Sequence, residues 1–312
     1  MCTAILFGKY AGRNLDVEGG YGESFIITPR NYSFKFKNTS AFVSNTAIIG
    51  IGIERDGYPL YFDAANEHGV YMAGLNYVGN AKYLPSAPDK INLAPYELIP
   101  YILSKCKSVH EARSELESIN LIGVPFSSDL AVAELHFFIA DKRAVLVVEP
   151  DSDGLSLYEN PVGVLTNNPP FPLQMHNLTN YAGLSTGPLV NRMAPQVDLA
   201  AYSRGMGALG LPGDLSSESR FVRAAFHRQN CIDNGNPCDI FHLLSSVEMP
   251  KGSLKLGDGY EYTAYSCAVD LESITYYLRT YTSCHCESVP LSLADLSRAS
   301  LISYPINGCK QG

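Results

Sequence analysis

Short apolar runs, several of them rich in β-branched residues, recur along the chain and end at turn-forming residues. They lie at 40–53 (SAFVSNTAIIGIGI), 143–150 (RAVLVVEP) and 162–169 (VGVLTNNP). A longer run at 264–283 is interrupted by a turn at 271–273, which predicts two strands joined in a hairpin. The pattern therefore predicts a chain dominated by short, buried β-strands.

Helical spacing of apolar residues is found in fewer segments. The run at 94–106 carries it, and the segment 108–119 opens with a serine and a glutamate in the spacing of a capping box. The segments 217–231 and 238–249 also fit helices. Because strands and helices are mixed without strict alternation, we expect layered α+β architecture rather than a doubly wound parallel sheet.

Composition and charge narrow the class of protein. The 312 residues are 46% hydrophobic and 17% charged, which is enough to bury a core. A net charge of −8 argues against a nucleic-acid partner, because a phosphate backbone requires a basic surface. No apolar run approaches the length of a membrane span, so we expect no membrane association. The stretch 184–214 is rich in loops and could be a projecting arm.

The eight cysteines are expected to be reduced, because the N-terminus has no pattern of a secretory signal. A cytoplasmic location follows from this interpretation. The sequence GMGALG at 205–210 lacks the strand and helix of a dinucleotide site, and CHC at 284–286 lacks further zinc ligands. We therefore predict neither a cofactor nor a metal.

Cys2 is the first candidate for chemistry. Removal of Met1 would make it the N-terminal residue, with a free α-amine whose ordinary pKa is roughly 8. Such an amine can accept the proton of the thiol of its own residue, so that one residue supplies both nucleophile and base. The alternative is that Cys2 is simply a small residue after the start methionine.

Arg13 and Asp16 are candidates to assist this thiol. An arginine beside a thiol favours the thiolate, and a carboxylate can orient an α-amine. Because the two residues point to opposite faces of a regular strand, we expect a bend to bring both to the N-terminus. The alternative is a surface ion pair.

Two turns that contain asparagine, AGLNY at 73–77 and LTNNPPF at 165–171, end apolar runs. Asparagine side chains can donate hydrogen bonds to an oxyanion that develops during acyl transfer. Asparagine is also an ordinary turn residue, so each turn taken singly carries no functional assignment.

Six blocks, read in chain order, resemble the choloylglycine hydrolases, the family of bile salt hydrolases and penicillin V acylases. The blocks are MCTA, GRNLD, ITPRNY, ANEHGVYMAGLNY, GVLTNNPPF and GLPGDLSSESRFVRAAF, and the late YTAYSC matches a C-terminal strand motif. The resemblance spans nearly the whole chain. It implies one N-terminal nucleophile hydrolase domain over 1–312, built as a four-layer αββα sandwich and acting without metal or cofactor.

The resemblance also implies roles for single residues. Cys2 is the nucleophile, Asn76 and Asn167 stabilise the oxyanion, and 184–214 corresponds to an element that assembles a homotetramer. The full set of implied catalytic residues is Cys2, Arg13, Asp16, Asn76, Asn167 and Arg220. The spacing from Cys2 to GRNLD is shorter than in many members, which a tight hairpin would accommodate.

The implied reaction is hydrolysis of the amide bond in glycine- or taurine-conjugated bile salts. Five residues in the blocks that border the family's cleft would line an apolar groove: Leu15, Val17, Tyr21, Tyr61 and Ala65. The alternative for these five residues is that they pack in the hydrophobic core. Asn76 favours bile salts, because typical penicillin V acylases carry tyrosine there. The open alternatives are a penicillin V acylase or other N-acyl amidase, and a catalytically silent relative that binds bile salts.

Overall fold

Two large antiparallel sheets stack face to face in the computed structural model, which describes residues 1–306. The first sheet contains, in spatial order, β14 (Val164–Leu165), β1 (Cys2–Phe7), β2 (Tyr10–Val17), β16 (Gly259–Asp270), β17 (Thr275–Thr280) and β18 (Glu287–Pro290), and β15 (Leu254–Leu256) also pairs with β16. The second contains β13 (Gly154–Glu159), β12 (Val145–Asp151), β11 (Leu135–Ala140), β8 (Tyr71–Asn76), β7 (Tyr58–Asn66), β6 (Ile48–Arg55), β3 (Ser24–Thr28) and β19 (Ile302–Pro305).

Helices cover the two outer faces. The five α-helices are α1 (Leu98–Lys105), α2 (Val109–Leu116), α3 (Phe171–Asn177), α4 (Ser217–Asn230) and α5 (Pro237–Ser245) within the described residues. Helices α4 and α5 pack on the first sheet, and α1 and α2 pack on the second. Two small pairs, β4 (Ser33–Phe34) with β5 (Phe42–Val43) and β9 (Ile91–Leu93) with β10 (Ile119–Leu121), lie outside the main sheets. The layer order is therefore αββα, as predicted.

The core follows the alternation of side chains in the strands. Leu6 and Leu15 of the first sheet share one apolar cluster with Ile49 and Phe138 of the second, so the inner faces seal against each other. A second cluster joins the outer face of the second sheet to α1. A site at the end of β1 therefore lies between two rigid sheets.

Several predicted elements are confirmed and others differ. The hairpin at 264–283 forms as β16 and β17, and α4 begins at the Ser216 cap. The predicted strand at 40–53 is divided, because the Ser44 hydroxyl and the Thr46 backbone bond each other in a turn. Of the strand predicted at 162–169, only the two residues of β14 form a strand. Helix α3 was not predicted.

The stretch 184–214 contains no α-helix or strand within the described residues. One short 3-10 helix, Met206–Ala208, interrupts its loops. Several large apolar side chains are exposed along it, among them Val190, Met193 and Tyr202. Its role in assembly stays a prediction.

Gly12 of β2 lies opposite Ala268 of β16 with no room for a side chain, and it supplies our first test. A Cβ at this position would overlap the backbone carbonyl oxygen of Cys267. We expect Gly12→Ala to lower the free energy of unfolding by about 2 kcal/mol, because the neighbouring strand must move. Urea denaturation would measure it. The control is Gly19→Ala, whose Cβ meets nothing within 4 Å among the described residues. Equal stability of the two variants would contradict the close approach.

Candidate active site

The thiol of Cys2 lies at the first position of β1, buried between the two sheets. Cys2 pairs with Leu15 of β2, so Arg13, two residues earlier, points to the same inner face. Arg13 Nη2 donates to Cys2 Sγ, and Nη1 donates to the carbonyls of Phe62 (3.0 Å) and Gly74 (2.7 Å). The second sheet thus fixes the guanidinium group against the thiol.

The expected bend between Arg13 and Asp16 does not interrupt β2, although the pairing of β2 with β16 shifts register opposite Leu15 and Asp16. The pairing of β1 with β2 is continuous from Cys2 to Phe7, and the two strands are joined by a tight hairpin. Arg13 reaches the thiol from the inner face, and Asp16 faces the helical layer. Arg13 and Asp16 both approach Cys2 because β2 pairs with β1, the strand that begins at Cys2. The two side chains reach Cys2 from opposite faces of the sheet.

Asp16 is fully buried, and only one of its oxygens is satisfied. Oδ1 accepts a hydrogen bond from Thr263 Oγ1 (2.6 Å). Oδ2 accepts none from the described residues and lies 3.9 Å from Arg220 Nη1. Burial raises the pKa of Asp16, and the charge of Arg220 opposes that shift. The carboxylate therefore keeps a free acceptor on the helical side of Cys2.

Arg220 comes from the first turns of α4 and is also fully buried. Its Nη1 donates to Cys2 O and to Thr3 Oγ1, both at 2.7 Å, and its Nη2 donates to Asn167 Oδ1 at 2.8 Å. Burial lowers the pKa of Arg220, while Asp16 and Cys2 oppose that effect. The residue thus ties the nucleophile strand to the asparagine beside it.

Asn167 and Asn76 meet at the other side of Cys2. Asn167 Oδ1 accepts the backbone N–H of Cys2 (2.8 Å), and its Nδ2 donates to Asn76 O (2.7 Å). Asn167 is buried, whereas the side chain of Asn76 is exposed in the cleft. The structure therefore brings together all six residues predicted to be catalytic. It also shows a contact that was not predicted, in which Asn167 Oδ1 orients the backbone nitrogen of Cys2.

Met1 precedes the nucleophile in this form of the chain. Its ammonium donates to Asp16 O (2.9 Å) and forms an ion pair with Glu261, a buried residue that the sequence did not single out. Burial lowers the pKa of this ammonium, and Cys2 and Asp16 oppose the shift. The nitrogen of Cys2 is here a peptide amide, which has no basic lone pair.

A cleft of about 320 Å³ opens at the thiol. Leu15, Val17, Tyr21 and Tyr61 line it, as predicted, together with Cys2, Arg13 and Asn76. The cleft wall is mostly apolar, which suits a large hydrophobic acyl group.

Ala65 does not line the cleft, and its predicted place was wrong. It is fully buried between the sheets, whereas Tyr61 of the same strand packs on the outer side of the second sheet. Regular alternation would put both on one face, but the pairing of β6 with β7 shifts register between Ile51 and Gly52. This bulge in β7 reverses which side chains of the later part of the strand face the inner side of the sheet.

Sequence reasoning missed most of the far wall of the cleft. These residues come from β6, β7, the 3-10 helix Pro95–Glu97, the start of α1, the loop before β11 and the first residue of β11: Ile53, Leu60, Phe62, Pro95, Tyr96, Ile99, Val124, Pro125, Phe126, Leu130, Ala131, Val132, Ala133 and Leu135. The loop 122–134 carries apolar residues without a helical or strand period, and that was the available signal. An irregular apolar loop is typical of a binding surface.

No metal cluster of three or more His, Cys, Asp or Glu side chains is found within residues 1–306. In that part of the chain, none of the helices combines the length and the apolar character needed to cross a bilayer.

Comparison with known proteins identifies the family. The model of the linear amide C–N hydrolases, choloylglycine hydrolase family, matches residues 2–304. The chain belongs to the choloylglycine hydrolase family. A relative from Lactiplantibacillus plantarum, named bile salt hydrolase/transferase, is 46% identical over 98% of this chain and 97% of its own. A conjugated bile acid hydrolase from Lactobacillus gasseri is 37% identical over 97% of this chain and 100% of its own.

Solved structures agree with the family. A crystal structure of a conjugated bile acid hydrolase variant from Clostridium perfringens matches with a TM-score of 0.92 and 31% identity, over 98% of this chain and 97% of that one. Penicillin V acylase from Agrobacterium tumefaciens matches with a TM-score of 0.74 and 18% identity, over 97% and 90%, which shows the fold alone. The predicted N-terminal nucleophile hydrolase sandwich is thereby confirmed. So is the predicted class, a hydrolase of linear amide C–N bonds.

Proposed function

We propose that this enzyme hydrolyses the amide bond of glycine- or taurine-conjugated bile salts, with Cys2 as its nucleophile. The observation that carries the proposal is the apolar cleft that ends at the Cys2 thiol, the Arg13 guanidinium and the Asn76 side chain. The names of the relatives from Lactiplantibacillus plantarum and Lactobacillus gasseri support the substrate class.

The nucleophile is activated by removal of Met1. The new α-amine takes the thiol proton of Cys2 and becomes an ammonium group. Asn167 Oδ1 already binds this nitrogen at 2.8 Å, and the free Oδ2 of Asp16 supplies a second acceptor. Arg13 stabilises the thiolate from the other face.

Acylation follows from this arrangement. The thiolate attacks the amide carbonyl, and the oxyanion accepts hydrogen bonds from the side-chain N–H groups of Asn76 and Asn167. One N–H of Asn167 is engaged with Asn76 O, which leaves the second for the oxyanion. The ammonium returns its proton to the leaving amine as the C–N bond breaks.

Deacylation uses the same groups in reverse order. Water adds to the thioester carbonyl and gives a proton to the α-amine. The C–S bond then breaks, which releases the bile acid and restores the thiolate and the ammonium.

The substrate class supplies the second test. We expect kcat/KM for glycocholate or taurocholate to exceed that for penicillin V at least tenfold, about 1.4 kcal/mol in transition-state binding. The reason is that Asn76 leaves room beside the scissile bond, where a tyrosine would fill the space. Detection of free glycine, taurine or phenoxyacetate measures both substrates side by side. A preference for penicillin V would reverse the assignment, and no turnover of any amide would favour a silent binding relative.

Penicillin V remains the second candidate because of the aromatic groups in the cleft. Tyr21 and Phe62 form an edge-to-face pair with centroids 5.6 Å apart, and Tyr96 and Phe126 form another at 5.4 Å. All four line the cleft and could stack on a planar phenoxy group. The aliphatic wall expected from the sequence is therefore only part of the surface.

Assembly and location are proposals as well. We infer one domain, because β16 pairs with β2 and β19 pairs with β3 across the length of the chain. The exposed apolar side chains of 184–214 support a homotetramer, since contact with other subunits would bury them. The seven cysteines within residues 1–306 are free, four of them exposed, which suits the cytoplasm. Cys309 lies outside the described residues.

A further inference from the structure

His136 occupies a position between the two asparagines of the site, although no sequence motif marked it. It belongs to β11, is fully buried and points from the second sheet toward the first. Its Nε2 lies 2.9 Å from the carbonyl oxygen of Thr166, the residue that precedes Asn167. Its ring stacks on that of Tyr77, the residue that follows Asn76, at 4.4 Å and 5°.

Glu149 of β12 holds the other side of the ring. Its Oε1 lies 3.2 Å from His136 Nδ1 and also accepts the N–H of Phe171 at 2.9 Å. The Thr166 carbonyl can only accept a hydrogen bond, so Nε2 carries a proton. Nδ1 faces Glu149 Oε1, which also accepts the N–H of Phe171, so both ring nitrogens lie beside hydrogen-bond partners. These contacts fix the orientation of the ring.

Other contacts to this segment come from elsewhere. Ser217 of α4 accepts the N–H of Asn167 (2.8 Å), and Gln174 of α3 donates to the carbonyl of Asn167 (3.3 Å). Both hold Asn167 from the helical layer. His136 approaches from the second sheet, which is also the sheet that carries Asn76. It therefore sets the position of one asparagine relative to the other.

We propose that His136, held by Glu149, is a positioning residue that fixes Asn76 and Asn167 in the geometry needed to bind the oxyanion. This proposal rests on the proposed roles of the two asparagines. His136 does not touch the reacting atoms. Its effect should therefore appear in the chemical step, in kcat rather than KM, and should spare the Cys2 thiol itself.

Two amide replacements separate the two contacts of the ring. A glutamine can place its amide nitrogen near the position of Nε2, and an asparagine near that of Nδ1. We expect His136→Gln to keep the Thr166 contact and retain kcat within about tenfold. We expect His136→Asn to lose that contact and lower kcat about 10²-fold, the size of a lost oxyanion donor, with KM changed less than about threefold.

The controls distinguish positioning from folding. Asn66→Ala removes a fully buried amide that donates to the carbonyls of Leu103 and Cys106, far from the cleft, and should lower the melting temperature without lowering kcat. Glu149→Gln keeps an acceptor for Phe171 but removes the charge, and should lower kcat about tenfold. It serves as the second variant if His136→Asn does not fold. Alkylation of Cys2 by iodoacetamide, mapped on the N-terminal peptide, should proceed at the wild-type rate in every variant.

Three outcomes would overturn the proposal: equal kcat for His136→Asn and His136→Gln, a kcat that follows the melting temperature through the whole set including Asn66→Ala, or loss of Cys2 alkylation. The measurements use glycocholate and penicillin V in parallel with the wild-type enzyme. If only penicillin V is cleaved, the proposed substrate fails, but the comparison of variants proceeds on that substrate unchanged. If the wild-type enzyme cleaves glycocholate and the His136 variants have the same kcat as the wild type, this inference fails while the proposed function stands.

Discussion

Replacement of Cys2 by alanine should abolish turnover of glycocholate and leave the fold intact. The Cys2 thiol lies at the end of the cleft, where it can form a covalent bond with the substrate, and Arg13 Nη2 donates to it. Loss of a nucleophile of this kind costs at least about 10⁴-fold in kcat. Cys2→Ser should be nearly inactive too, because an alcohol ionises far less readily than a thiol of ordinary pKa near 8.5.

The matched control is Cys106→Ala. Cys106 is as buried as Cys2, with 3% exposure each, but it follows α1 on the other side of the second sheet. Its loss should change stability and not kcat. Release of glycine, measured for all three variants beside the wild type, gives the comparison. A Cys2→Ala enzyme with more than a few per cent of the wild-type rate would require another nucleophile.

Removal of Met1 can be tested separately. The mass spectrum of active enzyme should show chains that begin at Cys2, because a peptide amide cannot accept the thiol proton. A lysine inserted between Met1 and Cys2 blocks removal of the methionine and should abolish activity while the Cys2 thiol remains. A fully active preparation in which every chain keeps Met1 would contradict the mechanism.

Arg220→Lys should lower kcat about 10²-fold. The guanidinium group of Arg220 donates at once to Cys2 O, Thr3 Oγ1 and Asn167 Oδ1. A single ammonium keeps the charge, but it cannot reproduce this planar set of donors. The nucleophile strand and Asn167 would then lose their common anchor.

Arg223→Lys is the control for this prediction, because Arg223 lies on the same helix three residues later. It donates to the carbonyls of Ser246, Pro212 and Asp214 and contacts none of the catalytic candidates. We expect comparable losses of stability from the two variants, and a loss of kcat from Arg220→Lys alone. Steady-state kinetics and thermal denaturation on both proteins decide the matter. Equal kcat values for Arg220→Lys and Arg223→Lys would show that Arg220 has no catalytic role.

The sequence by itself determined the parts of this protein that depend on local chemistry. The hairpin of β16 and β17 was predictable because its turn and its apolar runs are contiguous, and the serine cap predicted at the start of the segment 108–119 is found at Ser108, before α2. The ordered blocks around Cys2, Arg13 and Asn167 indicated the family, and with it the fold and the candidate residues. These signals can be read from the sequence because each one lies within a short contiguous segment.

Only the tertiary structure decided which faces and which distant residues meet. The bulge in β7 separates Tyr61, which lines the cleft, from Ala65 in the core, and no local pattern shows a register shift that depends on the partner strand. His136 and Glu149 meet across two adjacent strands of one sheet, and His136 also contacts Thr166, which directly follows β14 of the other sheet. Such contacts follow from the stacking of two sheets, which places side chains together by strand order and pleat rather than by distance along the chain.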